Sequence, residues 1–548
     1  MDAIPLPDHR TADRSARVGA LRGRPGPIAV GGTADPSHDD AAIPAAAGTR
    51  ARIGRTAAIA LPPAALALAL GLWGIRRGDS LWLDEAVSYE VAHRGTAQIW
   101  QLVHQVDAVH TLYYLGLHLL FTVFGGGLIT LRLPSVLGVA AAAAGVALLG
   151  RRLATPRAGL AAGLVFPVFP SIQLYAQDGR SYGMICAGVA ASALLLLRAL
   201  DRPGAARWAA YAGVTLLTCL LHEYVVLAVA AQGISLLRVR GRRGLPWGWV
   251  CAVAAVGLGL VPLALLSSTQ SGQITWILPP RTGTVLFAVG ISALGLLCAI
   301  LAPTPRVGRT ARTPRTDRTP RTGRTPRTGG GMTLRALALP LLLFPQAVLF
   351  LVTVVHPVYV DRYVLFEYLG LALLIGAALD RLGSSVPRLG WRVLLVVPAA
   401  LLLLLPVELK WRTPQAWPDD LAAAARAVHG YATPGAGVLF LTLERRQSEL
   451  SYPGDYAGLT DLALSGDVAD SGTLGGIEKS PQDIRAAMLR TARIITVRTA
   501  GGALPSASRQ DATKQAVLAA DFQVCARTAV RGLVVTSYAR PGHCRTVG

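Results

Sequence analysis

The sequence predicts an α-helical polytopic membrane protein with a small α/β domain at its C-terminal end. Three observations predict it. Hydrophobic residues are 52% of the 548 residues and charged residues only 15%, against about 25% charge in an average soluble chain. The apolar residues fall in long blocks with few charges inside them. After Glu408 those blocks shorten to strand length.

Residues 1–55 are rich in Ala, Gly, Pro and Arg without apolar periodicity and read as a disordered tail. No apolar signal region lies near Met1, so no cleavable signal peptide is expected. Arg50, Arg52 and Arg55 precede the first apolar run. The positive-inside rule therefore places the N-terminus in the cytoplasm. The first span is Thr56 to Ile75 and the second Leu128 to Gly150, closed by Arg151 and Arg152. Residues 79–127 between them form a large external loop. Its segments Gln98–Val106 and Leu112–Phe124 are amphipathic and too short to span, so they are expected on the membrane surface.

Further apolar runs start near Ala158, Tyr182, Trp208, Tyr224, Trp249, Thr284, Leu334, Val364 and Val393. At roughly 20 residues per helix this gives about eleven transmembrane helices in a domain spanning 56–406. Basic residues gather at alternate ends: Arg198, Arg202 and Arg207, then Arg238 to Arg243, then Arg381, Arg388 and Arg392. An odd count places 407–548 outside the plasma membrane. Residues 303–331 repeat a unit close to Arg-Thr-Pro, and proline at that density forbids a helix. This reads as a disordered cytoplasmic loop able to touch anionic headgroups of membrane lipids. No aromatic residues interleave for base stacking, so no nucleic-acid partner is expected.

In the C-terminal domain, Val438–Leu443, Ile494–Val497 and Leu533–Ser537 read as strands, and Pro418–Val428 as a helix. Ser480 followed by Pro481 and Asp483 reads as a helix cap. Cys525 and Cys544 lie where a disulfide is permitted. Cys186, Cys219, Cys251 and Cys298 sit in apolar runs and read as packing residues. No pattern suggests a dedicated zinc site.

The polar residues of the outer side carry the chemistry. Asp84 and Glu85 follow the first span between Trp82 and Tyr89. Acidic side chains are costly at the edge of hydrocarbon, so a pair there marks a functional site; the plainer reading is a solvated loop start. The same loop carries Asp107, His110, Tyr113 and Tyr114; later external turns carry Asp178, Arg180 and Tyr182, then His222, then Gln273 to Arg281 with Trp276, and finally Asp361, Arg362 and Tyr363. A carboxylate can take a proton from a hydroxyl. Arginines can hold a phosphate by forked hydrogen bonds, and aromatics can stack on a sugar. Together they suggest glycosyl transfer from a lipid-phosphate sugar to an external hydroxyl. Each residue also has a plain reading. Arg180 and Arg362 could pair with Asp178 and Asp361, and the tyrosines could be interfacial anchors.

Leu81-Trp82-Leu83-Asp84-Glu85 resembles the signature of the GT-C membrane glycosyltransferases, in particular bacterial and actinobacterial mannosyltransferase-like proteins related to the protein O-mannosyltransferases. Tyr175 to Tyr182 is similar to the family's Tyr-Ala-Gln-Glu-Ala-Arg-x-Tyr turn. His110 to Tyr114 is similar to its His-Pro-Pro-Leu-Tyr-Tyr segment, and Arg362-Tyr363 to its late Arg-Tyr. The resemblance covers residues 56–406 and implies a GT-C domain using a polyprenyl-phosphate sugar, mannose favoured, by inverting displacement. It implies Asp84 as general base, with Glu85 supporting it or, with Asp84, helping to bind a divalent metal. Arg180 and Arg362 would bind the donor phosphate, and Asp178 would orient Arg180 or the sugar. His110, Tyr113, Tyr182, His222 and Tyr363 would line the site. The acceptor could be a protein, a glycan or a lipid. Two departures are Thr111 in place of proline and Asp178 in place of glutamate. A lipid-linked-sugar transporter and a non-catalytic assembly protein are the alternatives. Transporters keep ionisable residues near the midplane, whereas here they collect at one face.

Overall fold

A computed structural model describes residues 42–239 (side chains from 54), 244–270, 272, 277–302, 331–386, 390–501 and 508–544. The N-terminal tail before Ala42 and the Arg-Thr-Pro loop, 303–330, lie outside the described residues. The chain divides into two units, Met1–Gly54 and Arg55–Gly548, and the second carries the helical bundle and the C-terminal sheet.

Helix α1 covers Ala42–Leu72, so helix begins before the apolar run at Thr56. Residues 79–127 are more helical than their sequence suggested. They fold as α2 (Leu83–His93), α3 (Thr96–Val103) and α4 (Thr111–Phe124). Asp84 and Glu85 therefore sit in the first turn of a helix, where acids are favoured by the helix dipole.

The bundle continues as α5 (Leu128–Leu153), α6 (Pro156–Val165), α7 (Pro170–Ala176), α8 (Tyr182–Asp201), α9 (Ala205–Leu221), α10 (Val226–Leu237), α11 (Trp247–Thr269), α12 (Thr282–Leu301), α13 (Leu334–Thr353), α14 (Glu367–Ser385) and α15 (Val396–Trp411). Seven described helical segments are long and apolar enough to cross a membrane. The eighth is a pair bent by 63°, Pro156–Val168 and Pro170–Ala176. Pro167 and Pro170 interrupt that apolar run, and proline removes the backbone donor a continuous helix needs. Helix length thus establishes fewer spans than the eleven read from hydropathy. Ala205–Leu221 and Glu223–Leu237 are short apolar helices, and α14 carries Glu367, Asp380 and Arg381.

Close backbone contact joins α5 to α8. A Cβ on Gly138 would lie 2.5 Å from the Gly183 carbonyl carbon and the Met184 nitrogen, both backbone atoms. Gly138→Ala must push the two helices apart. It is expected to cost about 1–3 kcal/mol, as overpacking does, read as a lowered unfolding midpoint in detergent. Gly213→Ala in α9, with open space around its Cβ, should leave the midpoint unchanged or raise it.

The C-terminal domain contains α16 (Leu421–Tyr431), β1 (Gly437–Phe440), α17 (Gln447–Ser451), β2 (Thr460–Asp461), α18 (Pro481–Arg490), β3 (Arg493–Thr499), α19 (Arg509–Asp521), β4 (Gln523–Val530) and β5 (Leu533–Ala539). The sheet order is β2-β1-β3-β5-β4. The pairs β2–β1 and β1–β3 are parallel, and β3–β5 and β5–β4 antiparallel. Strand β4 escaped the sequence reading because it is an edge strand with no buried residue and only weak apolar character. Ser480 caps α18 by accepting from the Asp483 amide at 3.2 Å. Cys525 and Cys544 form the disulfide. Cys186, Cys219 and Cys298 are buried, but Cys251 is exposed on α11 rather than packed. One hydrophobic core runs from Val91, Leu102 and Tyr114 of α2, α3 and α4 into Leu421, Phe440 and Val535 of this domain.

Candidate active site

Glu85 is the hub on which the site is built. Its side chain is wholly buried. Arg132 of α5 grips it with two hydrogen bonds, Nε to Oε1 and Nη2 to Oε2, both 2.8 Å. Arg77 adds Nη2 to Oε1 at 2.6 Å, and the Gly179 amide donates to Oε1 at 2.9 Å. Arg132 also donates to the carbonyls of Ile75 and Ser80, and Arg77 to that of Gln177. Burial alone would raise the Glu85 carboxyl, but Arg132 and Arg77 hold it below its usual range. One carboxylate thus ties the end of α1, the start of α5 and the 177–182 turn together.

That junction holds the next residue, Asp84, at an accessible position, with its side chain 27% exposed. Arg362 Nη2 lies 3.1 Å from Asp84 Oδ2, and Arg180 Nη2 lies 3.9 Å from Oδ1. The sequence left open a pairing of these arginines with Asp178 and Asp361. Instead Asp178 accepts from Trp82 Nε1 at 3.1 Å. Asp361 accepts from the Tyr175 hydroxyl at 2.9 Å. Asp178 is fully buried, and burial followed by the Glu85 charge pushes its carboxyl upward.

The remaining predicted residues converge on the same place. Arg362 Nε donates to the Tyr182 hydroxyl at 3.2 Å, and its guanidinium lies 5.5 Å from the Trp82 ring and 5.7 Å from the Tyr363 ring. His222 is 4.7 Å from Tyr363 and 6.0 Å from both Tyr182 and His110, centre to centre. Burial, with Arg180 and Arg362 nearby, drives both histidines well below their ordinary range, so they are neutral near pH 7. Arg180 Nη1 reaches the Tyr114 hydroxyl at 3.4 Å, and Tyr114 donates to Asp107 at 2.7 Å. Tyr113 is buried beside Tyr114, and burial raises its hydroxyl's pKa well above the ordinary value.

Strain accompanies the site. Arg77, Gly78, Asp79 and Asp107 all have left-handed backbone, a conformation that non-glycine residues adopt at a cost and that clusters where geometry is over-determined. An apolar groove of about 380 Å³ runs between α5, α8 and α9, lined by Leu137, Met184, Leu217 and Leu221, among others. Its Leu221 directly precedes His222.

Both Glu85 oxygens accept from guanidinium or amide donors, while Asp84 faces Arg362 and Arg180. Among the described residues no three His, Cys, Asp or Glu side chains gather closely enough to hold a metal ion.

Sequence reasoning missed Arg77, Arg132, Trp417 and Asp419. Arg132 gave a signal: it is a fully buried charge inside an apolar span, which marks a partnered or functional group.

These features sit on the GT-C fold, that of a class of membrane glycosyltransferases. ArnT from Cupriavidus metallidurans in the apo state is 14% identical, with a TM-score of 0.54 over 87% of this chain and 97% of that one. The same protein bound to undecaprenyl phosphate gives 14% identity and a TM-score of 0.51 over 88% and 98%. No protein-family model and no curated protein sequence matches the chain.

Proposed function

We propose that the chain is an integral membrane glycosyltransferase. It moves a sugar, mannose favoured, from a polyprenyl-phosphate donor to an acceptor hydroxyl on the outer face of the plasma membrane. One observation carries this reading: the accessible carboxylate of Asp84 lies between two guanidiniums, Arg362 at 3.1 Å and Arg180 at 3.9 Å. That arrangement sets a proton acceptor beside a receiver for a leaving phosphate.

In the reaction the acceptor hydroxyl attacks the anomeric carbon as the carbon–oxygen bond to phosphate breaks. The hydroxyl proton passes to Asp84, and the lipid phosphate leaves with its charge held by Arg180 and Arg362. The displacement inverts the anomeric centre. The neutral His110 and His222 rings and Tyr182 and Tyr363 offer hydrogen bonds and aromatic faces to the sugar. The apolar groove beside His222 suits a polyprenyl tail, and undecaprenyl phosphate is bound in the ArnT structure. The C-terminal domain then stands outside the membrane, beside the acceptor.

Purified protein supplied with a panel of polyprenyl-phosphate sugars should transfer at least one labelled sugar. Failure with every donor, mannose included, would reject the reading. Arg362→Lys keeps the charge but loses the fork. Losing a charged hydrogen bond costs about 1.5–3 kcal/mol, so binding of sugar-free polyprenyl phosphate should weaken by about ten- to one-hundred-fold, read by thermal shift.

A further inference from the structure

The turn that carries Asp84 is held from outside the membrane domain. Helix α2 begins at Leu83 with Trp82 at its N-cap, and Trp82 supplies no side-chain cap. The cap comes from far along the chain: Asp419 Oδ1 accepts from the Leu83 amide at 2.9 Å. Asp419 is buried, and its Oδ2 is held by Arg445 Nη1 at 2.7 Å. Arg445 Nε in turn donates to Thr499 Oγ1 at the end of β3, at 3.0 Å. A hydrogen-bonded path therefore runs from the sheet, through Arg445 and Asp419, to the residue directly before Asp84.

Neighbouring contacts fix the same turn. Asp420 Oδ1 accepts from Ser80 Oγ at 2.6 Å while capping its own helix at the Ala423 amide, 3.0 Å. Two adjacent carboxylates thus serve the starts of α2 and α16 at one point. The Tyr452 hydroxyl accepts from the Leu81 amide at 2.8 Å and donates to the Asp79 carbonyl at 3.1 Å. Trp417 stacks on Trp82 with centroids 4.7 Å apart. These fasteners act where Arg77, Gly78 and Asp79 are left-handed, a run that needs outside support.

We infer that Asp419 is a positioning residue: it caps the catalytic helix from the C-terminal domain and makes the pose of Asp84 depend on that domain being folded. That it caps α2 is given by the contacts alone; that the cap serves catalysis rests on the transferase reading. A carboxylate is suited to the task because it accepts from the helix and from Arg445 at once and complements the helix dipole.

The test uses the full-length protein with Asp419→Ala and Asp419→Asn, the latter keeping an acceptor oxygen for the Leu83 amide. Hydrogen exchange is followed over the start of α2, where the Leu83 and Ala86 amides are bonded, and over β1 and β3. In Asp419→Ala the start of α2 should exchange about five-fold faster or more, the worth of a lost N-cap, while β1 and β3 keep the wild-type rate. Asp419→Asn should lie near wild type. Unchanged exchange at α2, or equal loosening of the sheet, would overturn the inference. With polyprenyl-phosphate mannose as donor, Asp419→Ala should lower kcat per folded molecule by about one-hundred-fold, as a misplacement near 1 Å does, with the donor KM held within about two-fold. A wild-type kcat in this variant would also overturn it. If the wild type transfers no mannose, the transferase reading or the sugar choice is at fault. The exchange measurement, which needs no substrate, still decides the cap.

Discussion

Asp84→Asn is expected to abolish measurable sugar transfer while leaving the protein folded and able to bind its lipid donor. The amide is nearly the same size as the carboxylate, so the turn keeps its shape. What disappears is the proton acceptor, worth about 100- to 10,000-fold in rate for a positioned base. Donor affinity has a distinct expected sign. Arg362 and Arg180 face Asp84 at 3.1 and 3.9 Å, so Asp84 competes with an incoming phosphate for their hydrogen bonds. Removing its charge should leave polyprenyl-phosphate binding as tight as in the wild type, or tighter. Titration of the lipid phosphate by thermal shift, beside the transfer assay, checks both halves. Weaker lipid binding with residual transfer would make Asp84 a structural partner of the arginines instead of the base.

The same geometry suggests an order of events within the proposed reaction. Before donor binding, Arg362 covers one oxygen of Asp84 and also donates to the Tyr182 hydroxyl. A phosphate that draws Arg362 toward itself exposes the carboxylate to the acceptor. The base is then freed once the donor phosphate is seated on Arg362, so donor binding precedes activation of the acceptor hydroxyl.

The outline of this arrangement was legible in the chain, for physical reasons that can be traced. Hydrocarbon tolerates few charges, so the apolar blocks and the arginines between them gave the helical bundle. The same intolerance made Asp84, Asp178, Arg180 and Arg362 conspicuous. What stayed hidden were relations across long sequence separations. Nothing near Glu85 says that its partners are Arg132, 47 residues later, and Arg77. Nothing in Trp417-Pro418-Asp419-Asp420 says that its two acids cap two helices, one 336 residues earlier. Helix α2 was hidden because its first turn, Leu83 to Ala86, is stabilised from outside itself. The Asp-Glu pair also read as one unit, although its members face opposite ways: Asp84 is partly exposed among arginines, whereas Glu85 is sealed beneath it.

That division of labour gives the largest expected effect on stability. Glu85→Ala removes a carboxylate that neutralises two buried guanidiniums, Arg77 and Arg132, each with no more than 2% side-chain exposure. Breaking a buried ion pair from one side costs about 3–5 kcal/mol, because the charge left behind has neither partner nor water. Here two such charges remain, and the backbone groups they hold at Ile75, Ser80 and Gln177 lose their anchor. The variant should lose most of its folded yield in detergent and show a much lower unfolding midpoint. Glu85→Gln, which keeps an acceptor oxygen for the Gly179 amide, should fall between it and the wild type. Replacing all three residues together, with Arg77→Met, Glu85→Leu and Arg132→Met, should recover only part of the stability: no unpaired charge remains, but the Ile75, Ser80 and Gln177 carbonyls lose their side-chain donors. Transfer should not return with it. The Leu side chain cannot accept from the Gly179 amide, so the 177–182 turn that carries Arg180 is no longer tied to the turn that carries Asp84. A triple variant that is stable and fully active would show that the network holds the fold and contributes nothing to the pose of the base.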